Sequence, residues 1–316
     1  MAKSQKPKAI KMKVLITGGA GYIGNELVYK LTTEKGIDEI VIYDNLNKGN
    51  YNLFTGLRKL PYPNIKFIKG DILDGRKFRK ALDGVDVVYH LAANVTTPFA
   101  DQNPHFFEQI NHWGTAGVVY AIENSDVSKL IYLSSVSVYG SQSGLVTINT
   151  PLFPKTYYGI SKKRGEDQVK RLSDKLTTYI VRSGNVFGYS KNMRIDAVIN
   201  KFMFDAQFEN RITINGDGNQ QRAFISMEMV VDVLKQLPSS DLKSGTYNLV
   251  DKNLSIIDLA TEVKGIYPTL EMIFVNQHLK MRQIKVEKDD RLSTLATQPQ
   301  KNLKTELLEF KGMFTF

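Results

Sequence analysis

Residues 13–24 read KVLITGGAGYIG, and this stretch decides the fold. The apolar run 14–16 is typical of a strand that is buried on both faces of a parallel sheet. A glycine-rich turn follows, and an amphipathic helix pattern then begins (Ile23, Leu27, Val28, Leu31). Strand, turn and helix together predict a dinucleotide site, because glycines let the backbone approach a pyrophosphate and a helix start presents unpaired N–H groups. Two glycine spacings fit this motif, at positions 19, 21 and 24 or at positions 18, 21 and 24.

A second apolar run, residues 39–43, ends on Asp44, twenty positions after Gly24. A carboxylate at the end of this strand can hold the adenosine ribose 2′-hydroxyl and would repel a 2′-phosphate. The sequence therefore predicts NAD as the cofactor in preference to NADP. Lys48, in the loop that follows, would weaken this preference.

Composition sets limits on what the chain can be. Its 316 residues are 42% hydrophobic and 23% charged, which is ordinary for a globular protein large enough to bury a substantial core. No apolar run approaches the ~20 residues of a membrane span, and residues 1–12 lack the apolar segment of a signal peptide. A cytoplasmic protein with no membrane association is expected. The chain contains no cysteine, which excludes disulfides, thiol nucleophiles and cysteine–zinc sites, and no metal site is predicted.

The net charge of +10 raises the question of nucleic-acid binding. Five lysines and no acid fall within residues 1–13, so half of the excess belongs to a basic N-terminal tail. No basic stripe interleaved with aromatic residues follows it. Nucleic acid is therefore not an expected partner. A mild positive excess suits a small anionic substrate equally well.

Apolar runs at 65–68, 85–93, 129–134 and 178–182 alternate with helical patterns at 75–82, 104–123 and 157–176. This alternation predicts an α/β fold with a doubly wound parallel sheet, in which ligands bind beyond the carboxyl ends of the strands. The pattern changes after Gly188. We expect a Rossmann domain formed by residues 12–187 and 222–253, a smaller discontinuous substrate-binding lobe formed by 188–221 and 254–316, and a basic tail at 1–11.

Tyr158 and Lys162 lie four positions apart, on one face of a predicted helix. A free tyrosine titrates near ~10, and a nearby ammonium favours the phenolate and can lower that pKa by about 1–3 units. The neighbouring strand ends on hydroxyls in the segment SSVSVYG, residues 134–140. A serine there can hydrogen-bond a substrate oxygen while the phenolate removes or returns its proton.

With these motifs in order, the chain resembles the extended short-chain dehydrogenase/reductases of the NAD-dependent epimerase/dehydratase family, which act on nucleotide sugars. The similarity runs from Thr17 to Phe224 and comprises TGGAGYIG, Asp44, GDI at 70–72, HLAA at 90–93, SSVSVYG, YGISK at 158–162, RSGNVFG at 182–188 and GDGNQQRAF at 216–224. These motifs specify the family much more narrowly than the substrate.

The resemblance implies roles for individual residues. The implied catalytic residues are Ser135, Tyr158 and Lys162. The implied substrate residues are Ser135, Asn185 for the sugar nucleotide and Arg222 for its diphosphate, since a guanidinium binds phosphate oxygens bidentately. The implied NAD-binding residues are Gly18, Gly21, Tyr22, Ile23, Gly24, Asp44, Asn45, Asp71, Ile72, Leu91, Ala92, Ala93, Asn111, Tyr158 and Lys162.

The sequence departs from the family at three points. Tyr189 follows Gly188 where a proline is common, and Ala223 stands where an aspartate is frequent. The arginine-rich phrase that completes diphosphate binding in the family has no clear counterpart, although Arg282 and Arg291 are candidates.

The family's dehydratases resemble one another in having Thr-Asp-Glu at the catalytic hydroxyl, whereas this chain has Ser135-Val136-Ser137. We therefore expect a nucleotide-sugar epimerase, most simply at C4 through a transient 4-keto sugar. The alternatives are a 4,6-dehydratase or a sugar or alcohol reductase of the same family and, from another class, an NAD-binding sensor without catalysis. The intact catalytic set argues against a sensor.

Members of the family resemble one another in dimerising through two helices per subunit, which correspond here to 104–123 and 157–176. The first of these segments carries apolar residues on more than one face (Phe106, Phe107, Ile110, Trp113, Val118 and Val119). Covering both faces requires the sheet on one side and a partner on the other. The expected partners are thus a nucleotide-sugar substrate and a second copy of the chain.

Overall fold

The computed structural model describes residues 12–55, 59–60, 63–95, 103–278 and 281–316. The predicted basic tail at 1–11 lies outside the described residues. In chain order the strands are β1 Met12–Thr17, β2 Ile37–Asp44, β3 Ile65–Lys69, β4 Val87–His90, β5 Lys129–Ser135, β6 Leu145–Val146, β7 Thr177–Ser183, β8 Asn185–Phe187, β9 Arg211–Asn215, β10 Gln221–Ser226, β11 Gly245–Leu249, β12 Lys252–Ser255, β13 Glu271–Val275 and β14 Lys285–Val286.

The helices are α1 Tyr22–Leu31, α2 Gly75–Ala81, α3 Pro104–Phe107, α4 Thr115–Glu123, α5 Tyr157–Lys170, α6 Val198–Phe208, α7 Met227–Gln236, α8 Ile256–Ile266, α9 Asp290–Ser293 and α10 Leu303–Lys311. A π-helical segment, Glu108–Gly114, joins α3 to α4, so the predicted helix 104–123 is present but contains a π segment. The helix predicted at 157–176 ends earlier, at Lys170.

Seven strands form the main sheet in the order β11-β7-β5-β4-β1-β2-β3, and every neighbouring pair is parallel. The strand order reverses between β1 and β4, which creates a crevice at the carboxyl ends of these two strands. The predicted doubly wound Rossmann sheet is confirmed. Among the described residues no helix is long and apolar enough to cross a membrane.

The alternation of side chains along β1 explains why residues 14–16 are all apolar. Val14 and Ile16 pack into a core beneath α1 and α7, whereas Leu15 packs into a second core on the opposite face with α2, α4 and α5. Each of these three residues is therefore buried, whichever way it points. Helices on both faces fix the ends of the strands, which is what positions the site.

A smaller set of elements covers the carboxyl end of the sheet. Strands β8, β10 and β12 form one sheet, β9 pairs with β13, and β6 pairs with β14. Helices α6, α8 and α10 share one apolar core with β9. Helix α10 is held in this core by Leu303, Leu307 and Phe310.

The predicted division into domains remains a prediction, with one correction. The segment 254–316 was expected to belong wholly to the smaller lobe. Leu292, in α9, instead packs in the core of the main sheet beside Leu249 of β11. Its apolar side chain is fully buried there, so the chain returns to the larger domain before α10 completes the lobe.

Candidate active site

The glycine-rich turn connects β1 to α1 at the crevice. Gly18 has a positive φ of 71°, and a Cβ at this position would come within 2.7 Å of the backbone nitrogen of Ala92. A Cβ at Gly24 would come within 2.2 Å of the carbonyl oxygen of Gly18. The turn can therefore be this tight only with glycine. Gly18, Gly21 and Gly24 line the cavity, which favours the second of the two predicted spacings.

Helix α1 begins beside this turn with Gly21 as its N-cap, and no side chain caps its first N–H groups. A helix start without a capping side chain is suited to an anion such as a pyrophosphate. The cradle at Gly18 and Gly24 and this helix start fit a dinucleotide.

Asp44 ends β2 next to the turn. Its carboxylate accepts hydrogen bonds from the backbone N–H groups of Ala20, at 3.1 Å, and Leu46, at 2.8 Å. Burial raises the pKa of Asp44, and these two hydrogen bonds act in the opposite direction. The carboxylate is thus fixed at the place where the adenosine ribose of a dinucleotide is predicted.

The next strand ends supply the remaining wall of the cofactor region. Asn45 donates a hydrogen bond of 2.9 Å to the carboxylate of Asp71, and Ile72 follows in the same loop. After β4 the segment 91–93 passes over the glycine turn, where the N–H of Ala92 lies 3.3 Å from the hydroxyl of Thr17. The small side chains of Ala92 and Ala93 leave room for a flat ring against the backbone.

Asn111 requires a correction. It was expected to line the cofactor site, but it is fully buried behind the cavity wall. Its amide accepts from the N–H of Asn94 at 2.8 Å and donates to the carbonyl of Asn94 at 2.9 Å and to the hydroxyl of Ser161 at 3.0 Å. Asn111 therefore holds a cavity-lining segment and α5 in place, because all of these hydrogen bonds go to the chain itself.

The predicted catalytic residues come together where β5 ends and α5 begins. The hydroxyl of Ser135 donates to that of Ser137 at 3.1 Å and accepts from the Ser137 N–H at 3.2 Å. The Ser135 hydroxyl also acts on Tyr158, in the direction that lowers the pKa of this tyrosine. A Cβ at Gly159 would come within 2.6 Å of the carbonyl oxygen of Ser137, so glycine at this position allows the helix to approach the strand end closely.

Lys162 lies one helical turn beyond Tyr158 and is almost completely buried. Its ammonium nitrogen lies 4.2 Å from the centre of the Tyr132 ring. Burial lowers the pKa of Lys162 to about 7, and the negative charge of Glu166 acts in the opposite direction.

The pKa of Tyr158 is raised rather than lowered, and Lys162 is not among the groups that act on it. Burial raises the pKa of Tyr158, and the influences that lower it are the charge of Arg194 and the hydrogen bond with Ser135. Arg194 precedes α6 and pairs with Asp196 at 2.8 Å. Sequence reasoning missed Arg194, since it lies in the lobe beyond RSGNVFG, in a segment without a motif.

The opposite end of the cavity is cationic. Arg222 on β10 and Arg282 both line it, and burial together with the charge of Arg282 lowers the pKa of Arg222. Asn185, at the start of β8, donates a hydrogen bond of 2.9 Å to the carbonyl of Ala223. The other candidate, Arg291, pairs with Asp289 at 2.7 Å and lies over the Tyr247 ring, outside the cavity.

All of these regions border one cavity of about 840 Å³. Every predicted site residue except Asn111 lines it, namely Gly18, Gly21, Tyr22, Ile23, Gly24, Asp44, Asn45, Asp71, Ile72, Leu91, Ala92, Ala93, Ser135, Tyr158, Lys162, Asn185 and Arg222. Its volume lies in the upper part of the range of about 300–1,000 Å³ that is usual for ligand sites. Among the described residues no cluster of histidine, aspartate and glutamate side chains could hold a metal ion.

The known proteins to which the chain is similar include named epimerases and dehydratases. It is 33% identical, over 260 residues, to a Methanocaldococcus jannaschii protein named provisionally as a UDP-glucose 4-epimerase, with 79% of this chain and 81% of the relative covered. It is 30% identical, over 271 residues, to the dTDP-D-glucose 4,6-dehydratase of Mus musculus, with 83% and 74% covered.

Solved structures agree with the sequence comparison. The UDP-N-acetylglucosamine 4-epimerase from Methanobrevibacter ruminantium M1, in complex with UDP-N-acetylmuramic acid, superposes with a TM-score of 0.83 and 26% identity, covering 96% of this chain and 97% of that one. The sequence model of the NAD dependent epimerase/dehydratase family matches residues 14–249. This chain is therefore a member of the NAD-dependent epimerase/dehydratase family, with a Rossmann fold and NAD as its cofactor.

Proposed function

We propose that the protein is a nucleotide-sugar epimerase that inverts a sugar carbon, most simply C4, through a transient keto sugar. The observation that carries the proposal is that Ser135 and Tyr158 line one cavity together with the glycine cradle and the pair Arg222 and Arg282. A sugar nucleotide whose diphosphate is held by the two arginines would present its sugar toward the tyrosine.

Tyr158 is proposed to take the proton from the sugar hydroxyl and later to return it. Ser135 would hold the same oxygen, because it lines the same cavity and its hydroxyl acts on the pKa of Tyr158. When bound, NAD⁺ supplies the hydride acceptor and donor. The chain must then stabilise the phenolate, and the charge of Arg194 lowers the pKa of Tyr158 in that direction.

Inversion requires that the sugar turn over between the two hydride transfers while its nucleotide stays anchored. Arg222 and Arg282 suit the anchor, since each guanidinium can bind phosphate oxygens bidentately. Burial and the charge of Arg282 lower the pKa of Arg222, so a diphosphate between the two cations would offset both the cost of burying this charge and the repulsion between them. Asn185, at the cavity wall, is the proposed contact to the sugar nucleotide.

A 4,6-dehydratase is the second candidate, because relatives with that name match the chain at about the same identity. A dehydratase needs an acid to expel water. The segment after Ser135 carries Val136 and Ser137, and of the carboxylates among the described cavity residues Asp44 and Asp71 lie in the cofactor region while Asp196 is paired with Arg194. This distribution favours epimerisation.

Product analysis tests the proposal. The purified protein is incubated separately with UDP-glucose, UDP-galactose, UDP-N-acetylglucosamine and dTDP-glucose, and the products are identified by NMR. Interconversion of epimers without net NADH formation is expected. A 4-keto-6-deoxy product would establish the dehydratase instead, and one NADH per product would establish a dehydrogenase.

We also propose that the protein is a homodimer through the surface formed by the π segment, α4 and α5. Trp113 and Tyr120 lie two helical turns apart on one face, and each is 60% exposed. In contrast, Phe107, Val118 and Val119 are buried against the chain itself. Large aromatic side chains exposed in a row are typical of an interface, and a second copy would cover them.

A further inference from the structure

A row of polar side chains crosses three adjacent strands of the main sheet beneath α5. Ser134 on β5 lies in register with Arg182 on β7, and Arg182 lies in register with Asn248 on β11. All three side chains are buried. Buried polar groups are almost always hydrogen-bonded, so this row requires partners from the elements that cover it.

Glu166, on α5, is the central partner. Its carboxylate accepts hydrogen bonds from the Ser134 hydroxyl at 2.6 Å and from Nε and Nη2 of Arg182 at 2.9 and 2.7 Å. Glu166 has no exposed surface and Arg182 is 4% exposed. The pair is bidentate, which fixes the orientation of both side chains as well as their separation.

Tyr139 completes the network from the turn that follows the catalytic strand. Its hydroxyl accepts from Nη1 of Arg182 at 2.8 Å and donates to the side-chain oxygen of Asn248 at 2.7 Å. The network therefore joins α5, three strands and the turn Val136–Tyr139, all at the carboxyl ends of the strands. None of these hydrogen bonds depends on solvent-exposed atoms.

The network surrounds the catalytic set without being part of it. Ser134 directly precedes Ser135, and Glu166 follows Lys162 by one helical turn and Tyr158 by two. Resting on the proposed function, we propose that Glu166 is a positioning residue that fixes the strand end carrying Ser135 against the helix carrying Tyr158 and Lys162.

Stability alone is a weak reason for such a pair. Desolvation makes a buried ion pair costly, and well-packed apolar residues of similar volume often replace one without loss. A bidentate pair between the catalytic helix and strands, in contrast, supplies the geometric precision that proton transfer requires. Glu166 bonds to Ser134, the residue before Ser135. The pair therefore acts at the strand end where precise geometry matters for proton transfer.

The charge of Glu166 also acts on the pKa of Lys162, and this effect can be measured. A purely structural role would not include it. The negative charge of Glu166 opposes the burial that lowers the pKa of Lys162. The other groups near Lys162 are the ring of Tyr132 on β5 and His90 on β4, whose pKa burial and the charge of Lys162 lower to about 3. His90 is thus neutral near pH 7, so within the described part of the chain Glu166 is the charged group that supports the ammonium.

The test uses Glu166→Gln, which keeps the side-chain shape and removes the charge. Because this change leaves Arg182 buried with a lone charge, the double variant Glu166→Gln/Arg182→Met is prepared beside it. Asp232→Asn is the matched control, since Asp232 is buried and pairs with Lys30 at 3.0 Å and with Thr297 at 2.6 Å, away from the cavity.

We expect both Glu166 variants to retain NAD and to lose roughly 10–100-fold in kcat with little change in KM. The fall of activity at high pH should begin at lower pH, because removing the negative charge lowers the pKa of Lys162 further. Asp232→Asn should reduce thermal stability and leave kcat and the pH profile unchanged. A folded double variant with the kcat and pH profile of the control would overturn the proposal.

A measurement without substrate separates this proposal from the proposed function. Lysine labelled with ¹³C at the ε carbon allows Lys162 to be titrated by NMR in the NAD-bound protein, and its signal is identified by its loss in Lys162→Arg. The titration midpoint should fall in the Glu166 variants. An unchanged midpoint would contradict the proposal, whether or not the protein interconverts sugar nucleotides.

Discussion

The Asp44 carboxylate accepts a hydrogen bond of 3.1 Å from the backbone N–H of Ala20, which joins the end of β2 to the glycine-rich turn. The Asp44 side chain thus braces the turn that is proposed to hold the pyrophosphate. It also carries the charge that is proposed to exclude a ribose with a 2′-phosphate. A carboxylate held by two backbone N–H groups cannot easily turn away from a 2′-phosphate.

Asp44→Ala should reduce the preference for NAD over NADP. Hydrogen bonds to a charged group are each worth about 1.5–3 kcal/mol, so the ratio of the two dissociation constants should fall by roughly 10–100-fold. Isothermal titration with each cofactor measures this ratio. Asp44→Asn is the control, because it retains an acceptor for the Ala20 N–H without the charge. Tighter binding of NADP than of NAD by the unmodified protein would refute the assigned role.

Tyr158→Phe should lower turnover by about 10²–10⁴-fold, the usual contribution of a general acid–base group. NAD should remain bound, since the glycine cradle and Asp44 are untouched. NMR of the products measures the loss of turnover. The absorbance of the purified protein shows whether NAD is retained. Loss of NAD together with activity would assign Tyr158 to cofactor binding rather than to proton transfer.

Arg194→Gln should shift the pH dependence of kcat. The phenolate of Tyr158 is the proposed base, so activity should rise with pH as this residue loses its proton. Arg194 lowers this pKa, and its removal should move the rising limb to higher pH by about one unit. Arg291→Gln makes the same chemical change outside the cavity and should leave the limb in place. If the rising limb of kcat lay at the same pH in both variants, Arg194 would not act on Tyr158.

Arg222→Gln and Arg282→Gln should act mainly on substrate binding. Each removes charged hydrogen bonds to the diphosphate, so KM should rise by roughly 10–100-fold with a smaller effect on kcat. Arg291→Gln again serves as the control for loss of one positive charge. A comparable rise in KM for Arg291→Gln would mean that net charge, not the anchor, is responsible.

Trp113→Glu should convert the proposed dimer to monomer, because it places a charge at the centre of the aromatic face. Light scattering at micromolar concentration gives the mass directly. Phe316→Glu introduces the same residue at an exposed position on the other lobe and should leave the assembly intact. A monomeric unmodified protein would exclude the proposed interface.

The sequence predicted the sheet well because its signals are local. Residues 14–16 are apolar on both faces and are followed by glycines, and strands β2, β4, β5 and β7 are likewise largely buried. Most individual site residues at the strand ends came instead from the resemblance to the family, whose motifs follow those strands. Arg194, Glu166 and Arg282 could not be placed in this way, because their roles depend on contacts with distant strands. The position of Asn111 was misjudged for a related reason, since a motif gives a residue's place along the chain but not the direction of its side chain.

The return of α9 to the larger domain has a consequence for exchanging parts between relatives. Leu292 packs in the main core, whereas α10, which begins eleven residues later at Leu303, packs with α6 and α8. A chimera that grafts residues 254–316 from another member would replace part of the Rossmann core along with the lobe. To change the substrate pocket without altering the Rossmann core, the graft should keep Leu292 and its partly buried neighbours Leu295 and Ala296 from the recipient chain.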